Sequence, residues 1–289
     1  VMNGLQVVWS PGFAPGLHLG YTRFTQNYLE DGRLRMADVT RVWRPFPEPD
    51  WDEVYSTFRA DQSTYERINT SAMASLRWVF PGDHAEVYVE LYKESVHENL
   101  RDWIQEPQHD RAYNVGFQKL TPARRAASRL DFSRFTVEFT NLTPTRIDDI
   151  RPQTYLYTHK YVKQGHTNGG QVLGAAIGTG ADSQFLGYDL FFQRAMLGIY
   201  AQRVTVNDQF HMELNQRYVR GTGYKEYKHH WFVLNLGLKG AVQRGGLTLM
   251  VDTTWNKHYN YGREFFLKYV EWLDREYNDI LNLRADVRI

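Results

Sequence analysis

The 289-residue chain has no cysteine. Disulfides, thiolate metal sites and cysteine nucleophiles are therefore excluded. It also lacks any run approaching the roughly 18 consecutive apolar residues of a membrane helix, and its mean hydropathy is −0.56. A helical membrane protein is excluded, but a membrane β-barrel, whose strands are apolar on one face only, is not. Neither sign of charge dominates: 34 Lys+Arg stand against 33 Asp+Glu, for a net charge of +1. That balance does not suit a nucleic-acid binder that relies on bulk positive charge, so no nucleic-acid partner is expected. No signal peptide is visible and the first residue is Val1, which reads as a mature product or an interior piece of a longer chain. Gly-x-Ser-x-Gly and comparable nucleophile settings are missing too, so no enzyme is expected.

What is abundant is aromatic residues, 15% of the chain with 19 Tyr and 8 Trp, and period-two alternation. Over 84–92, Ala85, Val87, Val89 and Leu91 oppose Glu86, Tyr88, Glu90 and Tyr92. Leu234, Leu236 and Leu238 share a face against Asn235, Gly237 and Lys239. Leu247, Leu249, Val251, Thr253 and Trp255 oppose Thr248, Met250, Asp252 and Thr254, and Leu281, Leu283, Ala285 and Val287 oppose Asn282, Arg284, Asp286 and Arg288. Each segment reads as a strand with one oily and one polar face. Further strands are expected over 4–9, 16–26, 72–80, 111–120, 129–140, 183–193 and 196–206. That makes about eleven, most of them near the ~9–11 residues a tilted membrane strand needs. Helical period is confined to 96–106 and 263–277, read as short amphipathic helices within loops.

The connections alternate in length. Short ones fall at 10–15, 81–83, 121–128, 194–195 and 243–245, and long ones at 27–71, 94–110, 141–182, 207–228 and 256–280. Outer-membrane barrels have this asymmetry of tight periplasmic turns and long external loops, and a soluble β-sandwich has no reason for it. Trp9, Tyr21, Trp78, Phe80, Tyr92, Tyr113, Phe139, Phe192, Trp231 and Trp255 lie near strand ends, where amphipathic rings meet the two bilayer interfaces. The expected fold is all-β: a transmembrane, antiparallel, up-and-down β-barrel, forming one domain over 1–289 in a bacterial outer membrane, with the lipid bilayer as partner. An odd strand count and alternation that runs to both chain ends imply that strands of a larger barrel are missing at one or both ends.

The polar faces carry Arg77, Glu86, Glu90, Arg134, Glu138, Asp189, Lys239, Asp252, Arg284, Asp286 and Arg288. Both signs occur on neighbouring strands, so cross-strand ion pairs filling a lumen are expected rather than a single-sign selectivity ring. Glu86 and Glu90 have the look of an acid/base pair, but strand alternation alone accounts for their spacing.

The connection over 141–182 differs from the others. Gly165, Gly169, Gly170, Gly174, Gly178 and Gly180 permit positive φ and close backbone approach. The segment lacks the phosphate-loop pattern. His159 and His166 have no supporting carboxylate spacing, so neither a metal nor a cofactor is expected. Tyr155, Tyr157, His159, Tyr161, Gln164, His166, Asn168, Gln171 and Asp182 supply flat rings and hydroxyl-matching polar groups, as sugar binding requires. The same glycines and polar groups also suit a loop that folds into the barrel and plugs it, and the two roles are compatible. Trp43, Trp51, Tyr55, Tyr259, Tyr261 and Trp272 in other long loops form alternative ligand or protein-partner surfaces.

Tyr157-Thr158-His159, Tyr161, Gly165-His166-Thr167-Asn168, Gly170, Leu173-Gly174, Ile177-Gly178 and Asp182-Ser183 resemble the signature of the capsule assembly protein Wzi family. The resemblance implies an outer-membrane barrel of roughly eighteen strands that acts as a lectin-like surface protein and attaches capsular polysaccharide to the cell. Two other roles stay open on the residues alone: a structural barrel subunit of a larger envelope complex, and a porin-like channel for small polar solutes.

Overall fold

The computed structural model describes residues 1–29, 32–43, 68–94, 104–105, 107–123, 129–143, 155–159, 162–208, 210, 231–259 and 278–288. Eleven long strands form one hydrogen-bonded order: β1 (Met2–Trp9), β2 (Leu17–Asn27), β3 (Ile68–Phe80), β4 (Ala85–Lys93), β5 (Arg111–Pro122), β6 (Leu130–Asn141), β9 (Asp182–Phe192), β10 (Ala195–Thr205), β11 (Phe232–Arg244), β12 (Leu247–Tyr259) and β13 (Asn278–Arg288). Two short strands, β7 (Thr167–Asn168) and β8 (Gln171–Val172), pair by themselves between β6 and β9. The pairs β1–β2, β6–β9, β9–β10, β10–β11, β11–β12 and β12–β13 are all antiparallel between sequence-adjacent long strands. The all-β, antiparallel reading therefore holds, as does the alternation of short and long connections.

Boundaries moved where local patterning was interrupted. β11 continues to Arg244 and β12 to Tyr259, because ladder bonding carries through residues whose polarity no longer alternates. Two elements were missed: the β7–β8 hairpin, and a five-residue helix α1 (Met36–Thr40) followed by a 3-10 turn over Arg41–Trp43. Asp38 secures α1 by accepting from the Arg35 amide at 3.0 Å and from Asn27 Nδ2 at 2.9 Å. The expected helix over 263–277 lies outside the described residues, as does that over 96–106 apart from Ile104 and Gln105.

Contacts divide the chain into two units. One comprises Val1–Leu76, Val89–Tyr113 and Leu142–Thr179, and the other Arg77–Tyr88, Asn114–Asn141 and Gly180–Ile289. In the second unit the register sorts the side chains by face. Ile199 is opposite Leu238, Leu238 opposite Thr253 and Thr253 opposite Leu283, so the oily faces of β10–β13 are contiguous. This face is exposed: Leu197 is 58%, Leu238 62% and Leu283 71% accessible. At its long-loop end it is bordered by rings and cations. Phe232 stacks on Tyr259 at 4.5 Å, Arg203 lies 5.3 Å from the Phe232 ring, and Lys257 lies 5.7 Å from Trp255.

On the opposite face the charged groups pair with one another or with hydroxyl groups. Arg134 bonds Asp189 at 2.7 Å, and Lys239 reaches the same carboxylate at 2.8 Å. Arg77 bonds Glu86 at 2.6 Å, and Tyr88 donates to Glu138 at 2.6 Å. Arg284 pairs with Asp286 on its own strand at 2.8 Å, Asp252 accepts from Tyr200 and Thr254, and Glu90 has polar or electrostatic contacts of its own. Arg288 closes β13, but its side chain lies outside the described residues. Both charge signs thus meet across strands, and Glu86 is engaged by an arginine rather than by Glu90.

Three of these links pass over glycine. A Cβ on Gly198 would lie 2.1 Å from Asp189 Oδ1 and 2.6 Å from Lys239 Cε. Gly198 on β10 is directly opposite both residues, so the ion pair from β9 to β11 bridges the intervening strand. The Tyr88 ring lies over Gly116, and the Tyr200 ring over Gly237. Gly198→Val is expected to force Asp189 and Lys239 apart and to lower unfolding stability by about 1–3 kcal/mol. Urea titration of the purified protein, followed by tryptophan fluorescence, checks this; an unchanged midpoint would refute the bridging role.

Candidate functional site

Strand alternation places Phe24 and Gln26 on one face of β2, beyond which the glycine-rich segment packs. Gln26 Nε2 donates to the Gly165 carbonyl at 2.7 Å, and the Phe24 ring meets His166 edge-on at 4.9 Å. The start of β3 contributes Asn69, the end of β4 contributes Tyr92, and Glu94 follows β4 directly. These residues converge on the Glu94 carboxylate, which is almost wholly buried. Its Oε1 lies 2.9 Å from Asn69 Nδ2 and 3.2 Å from His166 Nε2. Its Oε2 accepts from Tyr92 Oη at 2.7 Å and from the Tyr157 amide at 3.0 Å. Burial alone opposes the charged form, but His166, the Tyr157 amide and Asn69 outweigh it and hold the carboxyl below its ordinary range.

Around this hub the segment folds tightly. Leu156 is fully buried with Ala112 and Leu142, and Tyr92, Tyr157, Ala175 and Ile177 pack against them. Tyr157 takes a positive φ of 67°. Its carbonyl accepts from the His166 amide at 3.0 Å and its hydroxyl from the Ala175 amide at 3.2 Å. Burial pushes the Tyr157 phenol up. Gly165 has φ 56°, and a Cβ there would sit 2.4 Å from the Tyr157 carbonyl oxygen, so no other residue fits this crossing without a backbone shift. A Cβ on Gly174 would lie 2.5 Å from the Tyr157 ring.

Beyond the hub the chain turns outward. β7 and β8 pair Thr167 with Val172 and Asn168 with Gln171, closed by Gly169 and Gly170 at φ 56° and 81°. Two successive positive φ values are those of a type I′ hairpin turn. Asn168, Gly169, Gly170 and Gln171 are all exposed.

The expected sugar-contact residues thus separate by role. Tyr157 and His166 anchor the segment, and Asn168 and Gln171 form its exposed tip. Gln164 donates to the Thr167 carbonyl at 2.9 Å and so braces the turn. His159 Nδ1 accepts from the Val162 amide at 3.0 Å. The half-buried Tyr155 accepts at its carbonyl from Thr158 at 3.2 Å. Asp182 opens β9, where Arg203 at 3.2 Å and Gln184 at 2.9 Å engage it. Trp43 is exposed, and Tyr259 belongs to the ring border of β11–β12. Tyr161, Trp51, Tyr55, Tyr261 and Trp272 lie outside the described residues. Sequence reasoning missed Phe24, Gln26, Asn69, Tyr92 and Glu94 as site residues. The available signal was a carboxylate directly after a strand, two residues from a tyrosine on the same alternation. Among the described residues, no group of three or more His, Asp or Glu side chains is placed to hold a metal ion.

A carboxyl held below its ordinary value contributes stability that is complete above the unfolded value, near 4.5, and is lost as pH falls through the folded one. The protection of amides over 155–159 and 162–180 against hydrogen exchange, relative to the unfolded chain at the same pH, is therefore expected to be high at neutral pH and to fall as pH drops below about 4.5. Glu94→Gln is expected to show low protection already at neutral pH. Parent-like protection in that variant at neutral pH would remove Glu94 from the anchoring role.

A family model described as "Capsule assembly protein Wzi" matches residues 49–258, which include the anchored segment and strands β3 to β11 with nearly all of β12. No curated protein and no solved structure matches the chain. On the extent of the family match, and in agreement with the motif over 157–183, the chain belongs to the capsule assembly protein Wzi family.

Proposed function

We propose that this protein is an outer-membrane β-barrel that binds surface polysaccharide at its long-loop end and retains it without chemistry. The observation that carries this reading is the β7–β8 hairpin. It presents Asn168 and Gln171 to solvent from a base fixed by the buried Glu94 contacts. Amide groups match sugar hydroxyls, which both donate and accept. Holding them on a rigid support lowers the entropy lost on binding. The lipid-facing part of the proposal is supported by the exposed oily face of β10–β13. Its border of Phe232, Tyr259, Trp255, Arg203 and Lys257 suits a bilayer interface.

Two measurements test these parts separately. Asn168→Ala with Gln171→Ala is expected to release a large fraction of the capsule into the culture medium while the protein remains folded in the membrane. Retention equal to the parent would refute the hairpin as a contact site. Leu238→Arg is expected to lower folding stability in lipid by about 2–4 kcal/mol. A negligible change would argue that Leu238 does not face the hydrocarbon.

A further inference from the structure

On the polar face of β9–β13, near the long-loop end, neutral side chains form a continuous hydrogen-bonded row. Gln202 lies directly opposite Asn235, and Asn235 opposite Asn256. Gln202 Nε2 donates to Ser183 Oγ at 2.9 Å, Asn235 Nδ2 to Gln202 Oε1 at 3.2 Å, and Asn256 Nδ2 to Asn235 Oδ1 at 2.6 Å. Asn282 on β13 completes the row by donating to Asn256 Oδ1. All the amides point the same way, so the row runs across five strands without reversal.

A primary amide has two N–H donors and a carbonyl oxygen with two acceptor positions. Gln202, Asn235 and Asn256 each spend one donor and one acceptor on the row. Among the described residues, the other donor and acceptor of each are unspent. They are not sealed away: Gln202, Asn235 and Asn256 are half-buried and Asn282 is exposed. The row therefore offers a donor–acceptor pair at each step between neighbouring strands, about 4.8 Å. That step is close to the length of one sugar ring, and a hydroxyl needs one donor and one acceptor.

Two rings flank the row. Phe185 is directly opposite Gln202 and stacks with Tyr200 at 5.9 Å. The Tyr200 hydroxyl is held by Thr254 and Asp252. Aromatic faces beside amides are what the C–H and O–H surfaces of a pyranose require. Among the described side chains of this face, Arg134, Lys239 and Arg284 stand against Asp189, Asp252 and Asp286. Nothing in the row itself favours an anionic ligand.

We infer that Gln202, Asn235, Asn256 and Asn282, braced at one end by the buried Ser183, form a binding track for a neutral, hydroxyl-rich glycan chain laid across the strands. This rests on the polysaccharide reading above and adds a contact surface distinct from the β7–β8 hairpin. Isothermal titration of the full chain in detergent tests it, with maltohexaose and cellohexaose as neutral probes and a hyaluronan hexasaccharide as the acidic one. The expected result is binding of a neutral hexasaccharide that weakens about tenfold in Asn235→Ala with Asn256→Ala. Asn282→Ala, at the exposed end of the row, guards against misfolding and is expected to weaken binding with an unchanged unfolding midpoint. Parent-like affinity in both variants, preference for the acidic probe, or no binding of either neutral probe would overturn the track. Capsule retention in the Asn168→Ala, Gln171→Ala cells is read independently. Hairpin variants that lose capsule beside row variants that behave as the parent would leave the hairpin reading standing and remove only the track.

Discussion

Glu94 is the contact on which the glycine-rich segment depends. A carboxylate removed from water keeps its charge only where donors replace the lost solvent. Here they come from four places in the chain: Asn69 on β3, Tyr92 on β4, the Tyr157 amide and His166. Two of the four belong to the segment itself, so the charge is satisfied only when that segment is seated. Leu156 and its apolar neighbours add burial beneath it. An apolar core alone would allow the segment to slide, whereas a charged acceptor with directional donors defines one seating.

The same logic governs the second unit. Its oily face is exposed, and its well-buried groups include Ser133, Ser183 and Asp189. A sheet of this sidedness has to satisfy its polar face by cross-strand pairing. Adjacent strands are close enough for ordinary pairs, but Asp189 and Lys239 are two strands apart. Gly198 removes the side chain that would stand between them. Gly237 and Gly116 make the same allowance for the Tyr200 and Tyr88 rings, so long polar side chains reach a third strand. Glycine inside a strand usually weakens it. Here the loss is offset by links that tie three strands at once.

The hairpin tip and the amide row have a chemistry in common. Both present uncharged donor–acceptor groups held by neighbours. That chemistry suits recognition of hydroxyl groups, the role proposed above for this member of the capsule assembly protein Wzi family.

The amino-acid sequence alone determined the strands, their two faces and the alternation of short and long connections. These follow from local rules: side chains alternate on a pleat, and turns require particular residues. The motif over 157–183 was legible too, since its glycines and aromatics are close in the chain. The tertiary structure decided which motif residues turn inward. Tyr157 and His166 had the same chemical promise as Asn168 and Gln171, yet they face a carboxylate 63 and 72 residues earlier in the chain. The row from Ser183 to Asn282 was likewise hidden, because its members are adjacent only across strands. Composition and periodicity report which face a residue occupies. Only the paired register reports what lies beside it, because that neighbour comes from a distant part of the chain.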